Sequence, residues 1–156
     1  MTSKERIEKT FSGGTLDHPA VTPILMSYAA RYIGKTYRDY YLDHRVLVES
    51  YLRCREAFGF DMHMVISDPF RETEAFGGRF DYPEDGIPVP REHLLKTLDR
   101  LDALAVPDPR DHRRMADRVE AVALFRKETD RAVPILGWVE GPFAEAADLR
   151  GVQELM

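Results

Sequence analysis

Cysteine and long apolar runs are both scarce in this sequence. Cys54 is the only cysteine, so the chain can form neither an internal disulfide nor a cysteine-based metal cluster, and it fits a reducing compartment. No apolar run approaches the ~20 residues that a membrane-spanning helix needs, and the opening Met-Thr-Ser-Lys-Glu-Arg lacks the apolar stretch of a signal peptide. We therefore expect a cytoplasmic protein that makes no membrane contact.

An excess of basic residues is also lacking. The 156 residues include 22 Lys and Arg against 27 Asp and Glu, which gives a formal net charge of -5 at pH 7. Without a basic field to attract phosphates, we expect no nucleic-acid partner. The dinucleotide-binding, P-loop, zinc-protease and serine-hydrolase motifs are missing as well. This segment therefore gives no support for covalent or metal chemistry.

The apolar pattern that is present predicts alternating strands and helices. Buried strands are expected at 21–26, 61–66 and 133–138, and helices at 3–11, 44–58, 94–101, 108–129, from Pro142 and from 152. Alternating polar and apolar residues around Gly77-Gly78 predict a β-hairpin over 73–82. This succession favours an α/β fold with a parallel sheet and right-handed crossovers. A complete (β/α)8 barrel takes about 250 residues, so residues 1–156 would be an incomplete barrel domain.

Ligand sites in α/β folds lie at the carboxyl ends of strands. The candidates that follow the three predicted strands are Ser27, Tyr28, Arg31, Asp68 and Glu140. A guanidinium such as that of Arg31 suits bidentate binding of a carboxylate or phosphate, and a carboxylate such as Asp68 could accept pyrrole-type N–H groups or move a proton. A surface salt bridge for Arg31 and a turn cap for Asp68 explain the same residues equally well.

Other titratable residues have structural explanations. His63 alternates with methionines in a predicted buried strand, which favours a core histidine. Cys54 lies on the apolar stripe of a predicted helix, where a buried inert thiol is expected. Asp108, Asp111 and His112 look like a metal cluster, but the chemistry of a helix start explains both acids.

Several different short motifs follow one another along the chain: Met26 through Tyr32, Ser67-Asp68, Glu74-Ala75-Phe76-Gly77, Tyr82 through Pro88, Gly137-Trp138, Pro142-Phe143 and Gly151. With these motifs the sequence resembles the uroporphyrinogen decarboxylase superfamily, a group of (β/α)8 enzymes that includes the decarboxylase of haem biosynthesis and the corrinoid-linked methyltransferases. The resemblance spans nearly the whole chain. It implies that residues 1–156 are the N-terminal portion of such a TIM barrel, with the hairpin as an insertion, and that this portion is inactive by itself.

Two departures from the family pattern bear on activity. In the decarboxylase two arginines bind acidic substituents of the tetrapyrrole. Here Arg31 matches one of them, whereas Ser27 stands in place of the other. The replacement at Ser27 removes a charge-assisted contact worth about 1.5–3 kcal/mol. Asp148 stands near the position of a family tyrosine, where an extra anion would repel a polyanionic porphyrinogen. Both departures favour the methyltransferase branch.

In that branch a methyl group moves from a methylated corrinoid protein to a thiol-type acceptor. The resemblance implies a zinc ion, held by His and Cys residues of the family's C-terminal half, that activates the thiol as thiolate. Those ligands have no counterpart in this segment, and neither Cys54 nor any His here is assigned to the role. We therefore expect no cofactor bound by this segment alone, with zinc and a corrinoid partner in a full-length methyltransferase.

Three functional hypotheses follow. The leading one is corrinoid-dependent methyl transfer involving a small-molecule substrate and a corrinoid protein. The first alternative is tetrapyrrole decarboxylation, which needs no cofactor and would use Arg31 as substrate anchor and Asp68 to stabilise the pyrrole-centred intermediate. The second is a non-catalytic interaction module. Because three strands leave an unpaired edge, such a module would need a partner or a homo-oligomer to cover it.

Overall fold

The computed structural model describes every residue from Met1 to Met156. In chain order its elements are α1 (Ser3–Ser12), α2 (Ser27–Tyr32), α3 (Tyr37–Leu42), α4 (His44–Phe58), β1 (His63–Met64), α5 (Arg71–Ala75), β2 (Phe80–Asp81), β3 (Val89–Pro90), a 3-10 helix (Leu98–Ala103), α6 (Arg113–Glu128), β4 (Ile135–Leu136), α7 (Pro142–Arg150) and α8 (Val152–Leu155). None of these helices combines the length and the apolar character that crossing a membrane requires.

Local capping chemistry sets the bounds of α1 and α4. The Thr2 hydroxyl accepts from the backbone N–H of Glu5, whose carboxylate accepts in turn from the N–H of Thr2, which forms a capping box. The carboxylate of Asp43 accepts from the first turn of α4, and Gly59 ends that helix with φ of 66°. The predicted helices 3–11 and 44–58 are confirmed.

The centre of the fold is a parallel pair formed by β1 and β4. His63 lies opposite Ile135, and Met64 lies opposite Leu136. The second and third predicted strands are therefore confirmed in place and direction, although regular pairing is limited to two residues in each. Helices α4 and α6 pack against each other beside this pair, as expected of an α/β arrangement.

The segment 21–26, predicted as a strand, has no regular β structure. The backbone N–H of Leu25 donates to the hydroxyl of Tyr51 (3.4 Å) instead of to a neighbouring strand. Pro23 has no N–H to donate. The strand prediction is wrong here because a proline and a side-chain hydroxyl replace the bonds of a β ladder.

An antiparallel pair is present, but the predicted hairpin over 73–82 is wrong in its first arm. β2 pairs with β3, and Phe80 lies opposite Pro90. Thr73 belongs to α5, so the Gly77-Gly78 turn joins a helix to a strand. Alternation over four residues also fits one turn of helix, and only packing decides between the two.

Two predicted helices differ from the structure. The helix expected from residue 108 begins instead at Arg113, because the Asp108 carboxylate accepts from the N–H of Arg110 and forms a turn before the helix. The helix expected at 94–101 is a 3-10 helix over Leu98–Ala103. Both differences are at element boundaries, where sequence signals are weakest.

The core lies between α3, α4, α6 and the segment that contains β1. The His63 ring is fully buried and stacks on Phe125 with centroids 4.6 Å apart. Burial lowers the pKa of His63 to about 4, so the ring is neutral at pH 7. Cys54 is buried on α4, and burial raises the pKa of its thiol. Both residues have the core positions predicted for them.

Candidate functional site

The candidate site lies where β1 and β4 end. Because these strands are parallel, their carboxyl ends lie at the same edge of the pair. Ser67 and Asp68 follow β1, while Trp138 and Glu140 follow β4. The Arg71 guanidinium connects the two sides by donating from Nη2 to the Trp138 carbonyl (3.1 Å). The structure therefore brings the residues predicted after the second and third strands to one edge.

Asp68 is buried and its carboxylate is fully engaged. Its Oδ2 accepts from Arg114 Nη2 (2.5 Å) and from the Ser67 hydroxyl (3.0 Å). Its Oδ1 accepts from the N–H of Phe70 (3.1 Å), which is the turn-capping bond considered in the sequence. The side chain has no exposed surface, so Asp68 acts here as a buried structural anion.

Arg114 connects Asp68 to the rest of the site. Its Nη1 donates to Glu74 Oε2 (2.6 Å), and its guanidinium lies over the rings of Tyr41 and Tyr82. Burial alone would lower the pKa of Arg114, but the two carboxylates outweigh it and hold that pKa above its usual value. The guanidinium is therefore permanently charged and fixed on several sides.

The first predicted strand end is separate from this network. Arg31 is exposed, and its Nη2 lies 3.6 Å from Asp85 Oδ1, which is the surface salt bridge considered as its alternative role. Ser27 is half-buried as the first residue of α2. The preceding Met26 has φ of 41°, a conformation that L-residues other than glycine rarely adopt. Backbone strain is thus located at the start of α2.

Tyr28 belongs to an exposed aromatic cluster. Its ring stacks on Tyr32 with centroids 6.2 Å apart and lies 6.1 Å from the ring of Phe58. All three side chains are about half exposed. None of the residues predicted at this strand end hydrogen-bonds with Asp68.

Four carboxylates gather around α7 and the end of β4: Glu72, Glu140, Glu145 and Asp148. Glu140 Oε1 accepts from Trp138 Nε1 (3.2 Å), which fixes its position after β4. Glu72 and Glu145 each have a buried Oε2 without a hydrogen-bond partner. The cluster therefore concentrates negative charge in a partly desolvated place.

Burial and mutual repulsion change the acidity of this cluster. Burial raises the pKa of Glu145 to about 7, and the neighbouring carboxylates add to it, although a bond from the Thr73 hydroxyl (2.9 Å) acts in the opposite direction. Burial and then Glu140 raise the pKa of Asp148 to about 6. Near neutral pH these two groups are able to hold or release a proton.

Sequence reasoning missed Arg114 and Glu145. Glu145 lies three residues before Asp148 on α7, so the helical spacing placed both carboxylates on one face and was a usable signal. Arg114 lies 46 residues from Asp68 along the chain, and no local pattern relates the two. Only the packing of α6 beside the strand ends brings them together.

One group of side chains has the spacing of metal ligands, but it does not fit the zinc of the resemblance. Asp43, His44 and Asp117 have ligand atoms within 4.8 Å of one another. Those atoms already serve as a helix cap and as partners of each other and of Arg118. A thiol-activating zinc of the kind implied needs Cys and His ligands, and Cys54 is not in the group. We derive no step through zinc from these residues.

The chain is similar to known proteins of one family. The model of the family "Uroporphyrinogen decarboxylase (URO-D)" matches residues 2–156. A uroporphyrinogen decarboxylase of Shewanella sp. (strain W3-18-1) is 28% identical over 109 residues, which cover 70% of this chain and 25% of that protein. The enzyme of the same name from Shewanella loihica is 29% identical over the same shares.

A methyltransferase from Methanosarcina mazei has a similar structure, with a TM-score of 0.83 and 22% identity. The likeness covers 99% of this chain and 47% of that one, so the chain spans about half of the methyltransferase and a quarter of the curated relatives. This coverage agrees with a partial TIM barrel. The family match over nearly the whole chain shows that the chain belongs to the uroporphyrinogen decarboxylase family.

Proposed function

We propose that this chain is part of a methyltransferase that moves a methyl group from a methylated corrinoid protein to a thiol-type acceptor. The observation that carries the proposal is the carboxylate cluster of Glu72, Glu140, Glu145 and Asp148 at the strand ends. A porphyrinogen carries several carboxylates of its own, and like charges repel strongly where water is excluded. The cluster therefore disfavours that substrate and tolerates a neutral thiol.

Glu145 suits the proton transfer that a thiol acceptor requires. An ordinary thiol has a pKa of about 8.5, so transfer of its proton to an ordinary Glu at about 4.3 is strongly uphill. Burial raises the pKa of Glu145 to about 7, which removes most of that barrier. The Thr73 hydroxyl holds Oε1, and Oε2 is left without a partner to take the proton.

The methylated corrinoid supplies an electrophilic methyl group. In the proposed reaction the acceptor's S–H bond would break and its proton would go to Glu145 Oε2, while the sulfur lone pair forms the new S–C bond. The bond between the methyl carbon and the corrinoid would break at the same time, and its electron pair would stay with the corrinoid. Asp148, with a pKa of about 6, is the next carboxylate on the same helix and provides a route for the proton to solvent.

Tetrapyrrole decarboxylation is the second candidate, favoured by the curated relatives named as uroporphyrinogen decarboxylases. In that reaction Arg31 would anchor the substrate and Asp68 would stabilise the pyrrole-centred intermediate. Arg31 is exposed, and a substrate acid would compete there only with the surface salt bridge to Asp85. Asp68, however, would first have to release Arg114, Ser67 or Phe70, because both its oxygens are engaged.

An assay of the native protein that contains this chain separates the two reactions. We expect methyl transfer from methylcobalamin, free or bound to a corrinoid protein, to a small thiol, and a fall in kcat of about 100-fold or more in Glu145→Gln. Glu49→Gln is the matched control, because Glu49 is an exposed residue of α4. Tight uroporphyrinogen binding with release of carbon dioxide in the absence of any corrinoid would overturn the proposal.

A further inference from the structure

A small cavity lies beside Arg114, the partner of Asp68. It has a volume of about 290 Å³ and is bounded by α5, the start of α6 and the β2 strand end. Its polar lining residues are Arg71, Glu74, Tyr82, His112, Arg113 and Arg114. Three of these six side chains are guanidinium groups and one is a carboxylate.

The N-terminus of α6 opens into this cavity. α6 has 16 residues, and its N-cap residue, His112, makes no side-chain capping bond. The backbone N–H groups of the first turn, from Arg113 to Met115, donate to no acceptor in the protein. Free N–H groups and the helix dipole both favour an anion at such a position.

Arg71 gives an independent indication of a ligand. Its side chain is 1% exposed and lines the cavity. Nη2 donates to the Trp138 carbonyl (3.1 Å) and to Glu72 Oε1 (3.4 Å), but Nη1 is buried without any partner. Nε of Arg114, in the same lining, is also buried and unpartnered. Buried charged donors without acceptors are costly to leave so, and a bound oxyanion would satisfy them.

Glu74 is the one anionic group in the lining. Its Oε2 accepts from Arg114 Nη1 (2.6 Å), so its charge is already compensated. Arg71 is paired with Glu72, whose Oε1 lies 3.4 Å from Arg71 Nη2, so the exposed Arg113 is the guanidinium group of the lining that remains to balance a ligand. The size of the cavity suits a small tetrahedral anion, whose charge Arg113 and the N-terminus of α6 would balance.

We propose that this cavity binds a phosphate group, either as the free ion or as a small phosphate monoester. The phosphate oxygens would accept from the first turn of α6 and from the guanidinium groups of Arg71 and Arg113. The proposal does not depend on the reaction proposed above. Because Arg114 donates to Asp68 as well as lining the cavity, the bound anion would lie one side chain away from the candidate site.

The test is isothermal titration of the purified protein with inorganic phosphate and, in a second arm, with methyl phosphate. The decisive variant is His112→Asp, which places a capping carboxylate on the free N–H groups and repels the anion. Asp is a favoured N-cap residue, so this variant should melt at a higher temperature than the parent while binding phosphate about tenfold more weakly or worse. Loss of binding with a raised melting temperature cannot come from unfolding.

Arg113→Ala should weaken binding by a similar factor, and Arg110→Ala, an exposed arginine paired with Asp108, should leave it unchanged. Tighter binding of methyl phosphate than of phosphate would identify an ester as the ligand, and the reverse order the free ion. Absence of saturable binding by both anions, or equal binding by the parent and His112→Asp, would overturn the proposal.

Discussion

The buried pair of Asp68 and Arg114 sets the behaviour of the candidate site at the scale of single residues. Neither side chain is more than 7% exposed, and the two atoms that meet are 2.5 Å apart. A buried pair of this kind need not stabilise a protein more than apolar residues would, but removing one partner leaves an uncompensated buried charge. The pair is therefore best tested by breaking it from either side.

We expect Asp68→Ala to lower the free energy of unfolding by about 3–5 kcal/mol, because Arg114 is left buried with Glu74 alone. Arg114→Ala should cost a similar amount, and the double variant should cost less than the sum of the two. Urea unfolding measures all three. The control is Asp81→Ala, which breaks a similarly short (2.6 Å) but exposed pair with Arg91 and should cost less than about 1 kcal/mol. Equal costs for the buried and exposed pairs would contradict this account of Asp68.

At the scale of elements, the Gly77-Gly78 turn fixes how α5 meets β2. A Cβ on Gly78 would lie 2.8 Å from the Thr73 carbonyl oxygen and 2.9 Å from the Phe80 ring. Gly78→Ala should therefore destabilise the protein by about 1–3 kcal/mol. Gly137→Ala is the matched control, since nothing lies within 4 Å of a Cβ at that position. Thermal unfolding of both variants checks this, and equal melting temperatures would show that the turn adapts freely.

The elements also show which features a sequence can predict. Helices α1 and α4 were predictable because their caps, Thr2 with Glu5 and Asp43 with Gly59, lie within a few residues of the helix that they bound. The segment around Thr73 was not, since its four alternating residues fit a strand or a turn of helix equally well. Its helical state comes with contact to α7, where Thr73 donates to a residue 72 positions away.

The candidate site was also predictable from the sequence only in part. The prediction of parallel strands implied that Asp68 and Glu140 lie at the same edge, and the structure has them there; that a ligand binds at this edge stays a prediction. Sequence spacing could not show that Asp68 is occupied by Arg114, because that contact joins α6 to the end of β1 across the fold. For Arg31 the sequence left substrate binding and a surface salt bridge equally open, and the structure shows the salt bridge with Asp85.

At the scale of the whole molecule, the main feature is a two-stranded parallel sheet whose outer strand edges are unpaired. β4 pairs with β1 alone, and apolar side chains of Val21, Ile24 and Val139 are at least half exposed near the strands. The match to about half of the methyltransferase chain agrees with an arrangement that further strands would complete. Self-association through this edge stays a prediction, to be measured by analytical ultracentrifugation.

The carboxylate cluster predicts how global stability depends on pH. Burial raises the pKa of Glu145 from 4.5 to about 7, so between these values the folded state binds more protons than the unfolded chain. The free energy of unfolding must therefore fall as pH rises through this window, and the contribution of Glu145 is lost above about pH 7. Asp148 acts in the same direction between 3.8 and about 6.

Glu145→Gln removes the titrating group and keeps an acceptor for the Thr73 hydroxyl, so it isolates this effect. Between about pH 5 and pH 8 the parent should lose about 1–2 kcal/mol of stability relative to the variant, a figure reduced for the partial exposure of the side chain. Urea unfolding at both pH values measures the difference, and Glu49→Gln should run parallel to the parent. Parallel curves for Glu145→Gln as well would mean that Glu145 has an ordinary pKa, and the proton acceptor for the thiol would then have to be a different group.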